Sequence, residues 1–265
     1  MRPARSPDAP ITSTDTGSTL SHVREPRPGP GLPRELTPQQ ELACALRICA
    51  REGWRENLSG HITVATPDGG MWCNPWGLWW EEVRASDILR LDADGEIIEG
   101  QWDVTPAVFL HTEIHRARAD AAVVVHNHPY YATLLAATGE RPRMMQQNAC
   151  IFDGELAFVD EYGGIENADD GKWLAAQVGD ASGVLLAHHG AIVTGPTIAA
   201  ACYKAATFER MCRMTYDALA AGREPTELPA AARADLKSLL QQNTPEAYWD
   251  GAVRLLLRDE PEVLT

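Results

Sequence analysis

From residue 37 onward, the spacing of apolar residues switches repeatedly between the helical period and the strand period. "TPQQELACALRICAREG" sets Leu42, Leu46 and Cys49 or Ala50 on one helical stripe. Thr37 suits the N-cap, Pro38 the first helical position, Gln40 completes a capping box, and Gly53 ends the run. "HITVATPDGGMWCN" predicts two strands joined by a turn at 67–70, and "ILRLDADGEIIEG" repeats that pattern around Asp94 and Gly95. "PAVFLHTEIHRARADA" predicts a helix, "AVVVHNH" a buried strand and "YYATLLAAT" a helix. "GELAFVD" then predicts a short strand, "NADDGKWLAAQVGDA" a helix, and "GVLLAHHGAIVTG" a strand and a turn. In "TIAAACYKAATFERMCRMTYDALAAG", Ile198, Cys202, Ala205, Phe208 and Met211 recur every three or four residues, which predicts a long helix. The stretch from "PAAARADLKSLLQQ" to "AYWDGAVRLLLRD" is helical in pattern. Strands and turns interleaved with helices predict an α/β chain, a mostly antiparallel sheet flanked by helices.

Three segments follow from composition. Residues 1–36 are rich in Pro, Ser, Thr, Gly and Arg, as in "REPRPGPGLPREL", and predict a flexible arm. Residues 37–225 carry the α/β pattern, and 226–265 form a C-terminal helical extension expected to pack on that domain or on a neighbouring subunit. A net charge of −14 speaks against broad nucleic-acid or anionic-membrane binding. No apolar run reaches transmembrane length, and the first 36 residues lack a signal-type apolar stretch. The six cysteines form no CxxC pair, so reduced thiols in a cytoplasmic protein are expected rather than a cysteine-built zinc site.

The candidate chemistry lies in the histidines. In "VVVHNHPYY", His126 and His128 stand at i, i+2 and share a strand face, with Asn127 on the other. His188 and His189 end the strand "GVLLAHH". Three protein ligands and an open position make the usual catalytic metal arrangement, and neutral imidazoles bind such ions through one ring nitrogen. The first pair would supply two ligands and one of His188 or His189 the third; spacing does not say which. His111 and His115, at i, i+4 on a helix, have a spacing that can also bind metal.

"DAAVVVHNHPYYATLLAATG" and "GVLLAHHGAIVTG", with "NLSGHITV", "NPWGLWWEEVRASDILRLDADGEIIEG" and "HTEIHRARADA" in order between about 38 and 220, resemble the class II aldolase and adducin head family. The resemblance implies a three-layer α/β/α fold and a homotetramer with the active site near a subunit boundary. It implies a small-molecule substrate and a divalent ion, zinc first, with manganese or iron as alternatives. The implied ligands are His126, His128 and His189.

The chain also departs from that family. Its sugar-phosphate enzymes hold a catalytic acid 19 positions before the first metal histidine, where this chain has Ala107; the nearest acids are Asp103 and Glu113. Alanine cannot shuttle a proton. His111 is the first candidate to do so, followed by Tyr130, with Tyr131, His61 and His115 behind. The family's phosphate-binding positions fall on Gly60 and His61, Trp76 and Gly77, and Thr105 and Pro106. Ser59, His61 and Thr105 offer donors there, whereas Pro106 has none and Trp76 is bulky. The tryptophans of "MWCNPWGLWW" fit an apolar or aromatic substrate, or a subunit interface equally well. Tyr248 and Trp249 are candidates for a contact with a neighbouring chain. The expected activity is a metal-dependent lyase cleaving a C–C bond of a small hydroxy- or oxo-acid, by aldol cleavage or decarboxylation. The alternatives are a non-heme iron oxygenase acting on an aryl-pyruvate-like substrate and an adducin-like metal-binding scaffold without turnover.

Overall fold

The computed structural model describes residues 29–56, 58–161 and 163–265. Most of the expected arm, 1–28, lies outside the described residues. Its end, 29–36, lays Leu32 and Leu36 against the main core. The expected capping box forms at helix α1 (Pro38–Arg51): Gln40 N donates to Thr37 Oγ1 at 3.3 Å and Thr37 N to Gln40 Oε1 at 3.1 Å.

Eight strands make one sheet: β1 (His61–Ala65), β2 (Met71–Cys73), β3 (Leu89–Leu91), β4 (Ile97–Glu99), β5 (Val123–Asn127), β6 (Leu156–Val159), β7 (Gly183–Leu186) and β8 (Gly190–Gly195). Their order is β4-β3-β2-β1-β5-β8-β7-β6. All neighbours are antiparallel except β6 and β7, which run parallel and are connected through helix α4 (Ala168–Val178). The alternation of β5 assigns the two faces. Val123 and Val125 enter the larger core with α1, α3 (Tyr130–Thr138), α5 (Ile198–Ala220) and α6 (Ala230–Asp259). Val124 enters a smaller core with α2 (Phe109–Ala117) and α4. The sheet is therefore sandwiched between helices, as expected. Both faces of β5 are covered, which is why its apolar run is continuous. Each such fully buried valine contributes about 1.5–3 kcal/mol relative to an exposed one.

The structure differs from the sequence reading at four places. "GVLLAHHGAIVTG" is two strands, β7 and β8, with 187–189 as the turn between them, so His188 and His189 do not end a strand. His188 takes φ 56°, the left-handed region, and this reverses the chain. Strand β5 stops at Asn127, leaving His128 one residue past the ladder. The helix from Pro106 begins as a 3-10 turn (Pro106–Val108) because Ala107 N donates to Thr105 Oγ1 at 3.1 Å. Tyr248 and Trp249 are not offered to a neighbour: the Tyr248 ring packs on Tyr203 and Trp249 is buried in the main core, because α6 lies against α1 and α5.

All six cysteines are free and buried. Among the described residues no helix is long and apolar enough to cross a membrane.

Two glycines let other segments close on the end of β5. A Cβ on Gly60 would lie 2.3 Å from Asn127 Nδ2, and one on Gly190 would lie 2.5 Å from His128 Cδ2 and 2.6 Å from Asn127 O. The obstacle at Gly190 includes backbone, which cannot swing aside. Gly190→Ala is therefore expected to destabilise the fold by about 1–3 kcal/mol. Denaturant unfolding measures this, and an unchanged midpoint would contradict the close approach.

Candidate metal centre

Strand β5 lies between β1 and β8, so its last residues are flanked from both sides. His126 pairs with His61 across one ladder and with Ile192 across the other. Its Nδ1–H donates to the Ala191 carbonyl at 3.0 Å, which leaves Nε2 as its ligand atom. Asn127 points the other way and donates to Trp54 O at 3.2 Å. His128 holds Glu56 Oε2 through Nδ1 at 2.7 Å, and its Nε2 is buried without a partner. The turn at His188 brings in His189 and leaves His188 exposed. The His189 ring centroid is 5.0 Å from that of His126 and 4.9 Å from that of His128, and the latter two are 5.3 Å apart. One nitrogen from each of the three lies within 4.8 Å of the others.

The electrostatics suit a cation. Burial holds His126 well below the ordinary imidazole value, with His189, His61, His128 and His111 adding to the shift. His189 is pushed down to about 4 by burial and then by His128, against the opposing pull of Glu56. Neutral imidazole is the ligating form. A buried nitrogen without a partner costs about 1–3 kcal/mol, which a bound ion at His128 Nε2 would relieve. The Glu56 carboxylate behind His128 is the usual second partner of a metal-binding histidine. By donor set, geometry and backing, the three residues fit a divalent ion.

The row of rings continues inward. His61 lies 5.7 Å from His126, centroid to centroid, and 5.5 Å from His111, which is fully buried. Burial pushes His61 down to about 3 and His111 well below its ordinary range. His111 Nδ1 and His115 Nε2 both meet Thr63 Oγ1, at 2.7 and 2.8 Å. The i, i+4 pair that has metal-binding spacing thus converges on a hydroxyl.

The other expected site residues are spread more widely. Ser59 and Gly60 lead directly into His61, and the Gly60 carbonyl accepts from Asn74 Nδ2 and Trp80 Nε1 at 3.2 and 3.1 Å. Trp76 and Gly77 share a loop tied to the Thr105 loop by Trp76 N donating to Asp103 O at 2.8 Å. The Trp76 ring is half exposed, and the Oγ1 of buried Thr105 accepts from Ala107 N, which leaves its proton to donate elsewhere. Tyr130, at the start of α3, is 69% exposed and rests on Tyr131. Glu113 is buried toward α4, where a Cβ on Gly171 would lie 2.8 Å from its Cγ, and it pairs with Arg116. It does not replace the acid missing at Ala107. Glu56 went unread in the sequence. It stands 72 positions before His128 in a loop without periodicity, and its only signal was an acid shortly before "NLSGH".

The buried imidazoles make the ion-free fold acid-sensitive. Below pH 6.5 the unfolded chain takes up protons that the folded chain refuses until about pH 4 at His115 and His189 and about pH 3 at His61. His111 and His126 refuse them too. The histidine contribution to stability is therefore full above pH 6.5 and falls as pH drops, by up to about 1.4 kcal/mol per pH unit for each histidine. Glu209, raised by burial to about 7, acts in the opposite sense and offsets about one of the five. Urea midpoints between pH 7 and 4.5 test this; a flat profile would contradict it.

Comparison with known proteins places these features in a family. The model of the Class II Aldolase and Adducin N-terminal domain matches residues 40–216. Decarboxylase NovR of Streptomyces niveus is 36% identical over 194 residues, 71% of this chain and 72% of that protein. A 4-hydroxy-3-prenylphenylpyruvate oxygenase/4-hydroxy-3-prenylbenzoate synthase of Streptomyces roseochromogenus subsp. oscitans is 36% identical over 186 residues, 68% of this chain and 67% of that protein. An L-fuculose 1-phosphate aldolase structure from Glaciozyma antarctica PI12 superposes with a TM-score of 0.76 at 24% identity, covering 86% of this chain and 91% of that one, which bears on the fold alone. With its sheet order, its histidine cluster and a family match over most of its length, the chain belongs to the class II aldolase and adducin N-terminal domain family.

Proposed function

We propose that this protein is a divalent-metal-dependent lyase that cleaves a C–C bond of a small hydroxy- or oxo-acid, by aldol cleavage or decarboxylation. The observation that carries the reading is the convergence of three imidazoles, one with a buried, unpartnered nitrogen backed by a carboxylate. His126, His128 and His189 would hold the ion, zinc first, with manganese or iron as alternatives. When bound, the ion supplies Lewis-acid stabilisation of the negative charge that develops on the substrate oxygen as the bond breaks.

The protein's own residues do the rest. Ala191 O and Glu56 fix the ring orientations of His126 and His128. His111 and Tyr130 are assigned to proton transfer, His111 from the buried side and Tyr130 from the solvent side. Ser59, Gly60 and His61, with Trp76, Gly77 and Thr105, are assigned to the substrate. Because Ala107 carries no proton, the familiar acid of the sugar-phosphate enzymes is not part of this reading. A homotetramer and a cytoplasmic location complete it. A second reading, a non-heme iron oxygenase, is favoured by the likeness to a relative named as an oxygenase.

Anaerobic purification with metal analysis and turnover on an oxo-acid panel separates the two. Zinc or manganese with oxygen-independent release of carbon dioxide or an aldehyde is expected; iron with oxygen uptake would sink the lyase reading in favour of the oxygenase. His189→Ala is expected to lose both the ion and turnover, and His188→Ala to keep both. Glu56→Gln is expected to weaken ion binding by about 10- to 100-fold, measured by competition with a chelator.

A further inference from the structure

The proton positions along one chain of contacts follow from a single carbonyl. His115 Nδ1 lies 2.8 Å from Ala121 O. A carbonyl only accepts, so the His115 proton is on Nδ1. A neutral ring then has a lone pair on Nε2, and the group 2.8 Å away is the Thr63 hydroxyl, which must donate to it. That hydroxyl has one proton. Toward His111 Nδ1, 2.7 Å away, Thr63 Oγ1 therefore accepts, and His111 carries its proton on Nδ1. His111 Nε2 is left with a lone pair, and this nitrogen is buried with no partner. Its ring stands edge-on to His61, whose own Nδ1 is also buried and unpartnered.

We propose that Thr63 and His115 are positioning residues that lock His111 in the Nδ1–H tautomer, keeping its Nε2 lone pair available as a proton acceptor on the inner side of His61. The proposal rests on the assignment of His111 to proton transfer. A proton given up by the substrate and relayed by His61, which takes it on one ring nitrogen as it releases one from the other, is held at Nε2 only transiently, because burial keeps this ring well below its ordinary range; the Nδ1–H bond to Thr63 is kept, so nothing in the chain reorients. Its return restores the starting state, and no net proton is consumed. Without the lock, the ring is free to carry its proton on Nε2, and that form cannot accept. A hydroxyl shared by two imidazoles thus fixes the tautomer, one of the two things a carboxylate does behind many catalytic histidines, and being uncharged it leaves the ring weakly basic.

The test uses the full-length protein labelled with 15N-histidine, with tautomers read from long-range 1H–15N correlations. His111 and His115 are expected to be protonated at Nδ1 and bare at Nε2 in the wild type and in Thr63→Ser. Thr63→Val removes the acceptor at His111 Nδ1. His115→Leu frees the Thr63 proton to donate there. Both variants are expected to shift His111 toward Nε2–H and to lower kcat by about 100-fold, with KM little changed. Thr63→Ser is expected to keep wild-type kcat, and ion content serves as the folding control. A wild-type His111 protonated at Nε2 would overturn the proposal, as would Thr63→Val and His115→Leu variants that bind the ion and keep both tautomer and kcat. The expected tautomer in a chain that turns over no oxo-acid or sugar phosphate would overturn the lyase reading and leave the lock standing.

Discussion

The pairing of β5 with β1 on one side and β8 on the other holds the whole site in place. It sets His126 beside His61, and it brings the β7–β8 turn against His128. The valines before His126 drive the strand into the middle of the sheet, where both of its faces are covered. A slip of one residue in either ladder would turn His126 to the other face and Asn127 toward the other two histidines. The register is protected by the buried valines on both sides and by the close approach of Gly60 and Gly190.

A second constraint follows from that depth. Imidazoles this buried resist protonation, so the interior beside the candidate ion is a row of neutral rings rather than a set of paired charges. Neutral ligands leave the charge of an ion undiminished toward a substrate. The carboxylate that backs the triad, Glu56, is half exposed and acts through His128. Ala107 puts a methyl group where the family resemblance leads one to expect an acid, and the titratable rings buried next to His126 are further histidines.

Much of this was legible in the residues. Local patterns marked nearly every element, because apolar period and turn chemistry are written in adjacent positions. His126 and His128 were visible as a pair. The choice between His188 and His189 was not, because it depends on one residue adopting φ 56°, and the sequence there resembles a strand running through. Glu56 was missed for the opposite reason: its partner is close in space and remote in sequence. His111 and His115 had the right spacing for a shared partner. That the partner is Thr63 depends on the pairing of β1 with β5 and the packing of α2 over them, which only the assembled sheet defines.

The distance along the chain between the parts of the cradle also bears on how the protein matures. Glu56 and His128 are 72 positions apart, and His126 and Ala191 are 65. No early, local piece of the chain contains more than two of the three cradle histidines, and contacts of such separation form late because loop closure must come first. Ion capture by these three histidines would therefore report completion of the central sheet: a chain still emerging from the ribosome, or trapped with β8 undocked, has no cradle to fill. With an ion bound there as proposed, metal supply would draw the last step of folding forward without steering any earlier one.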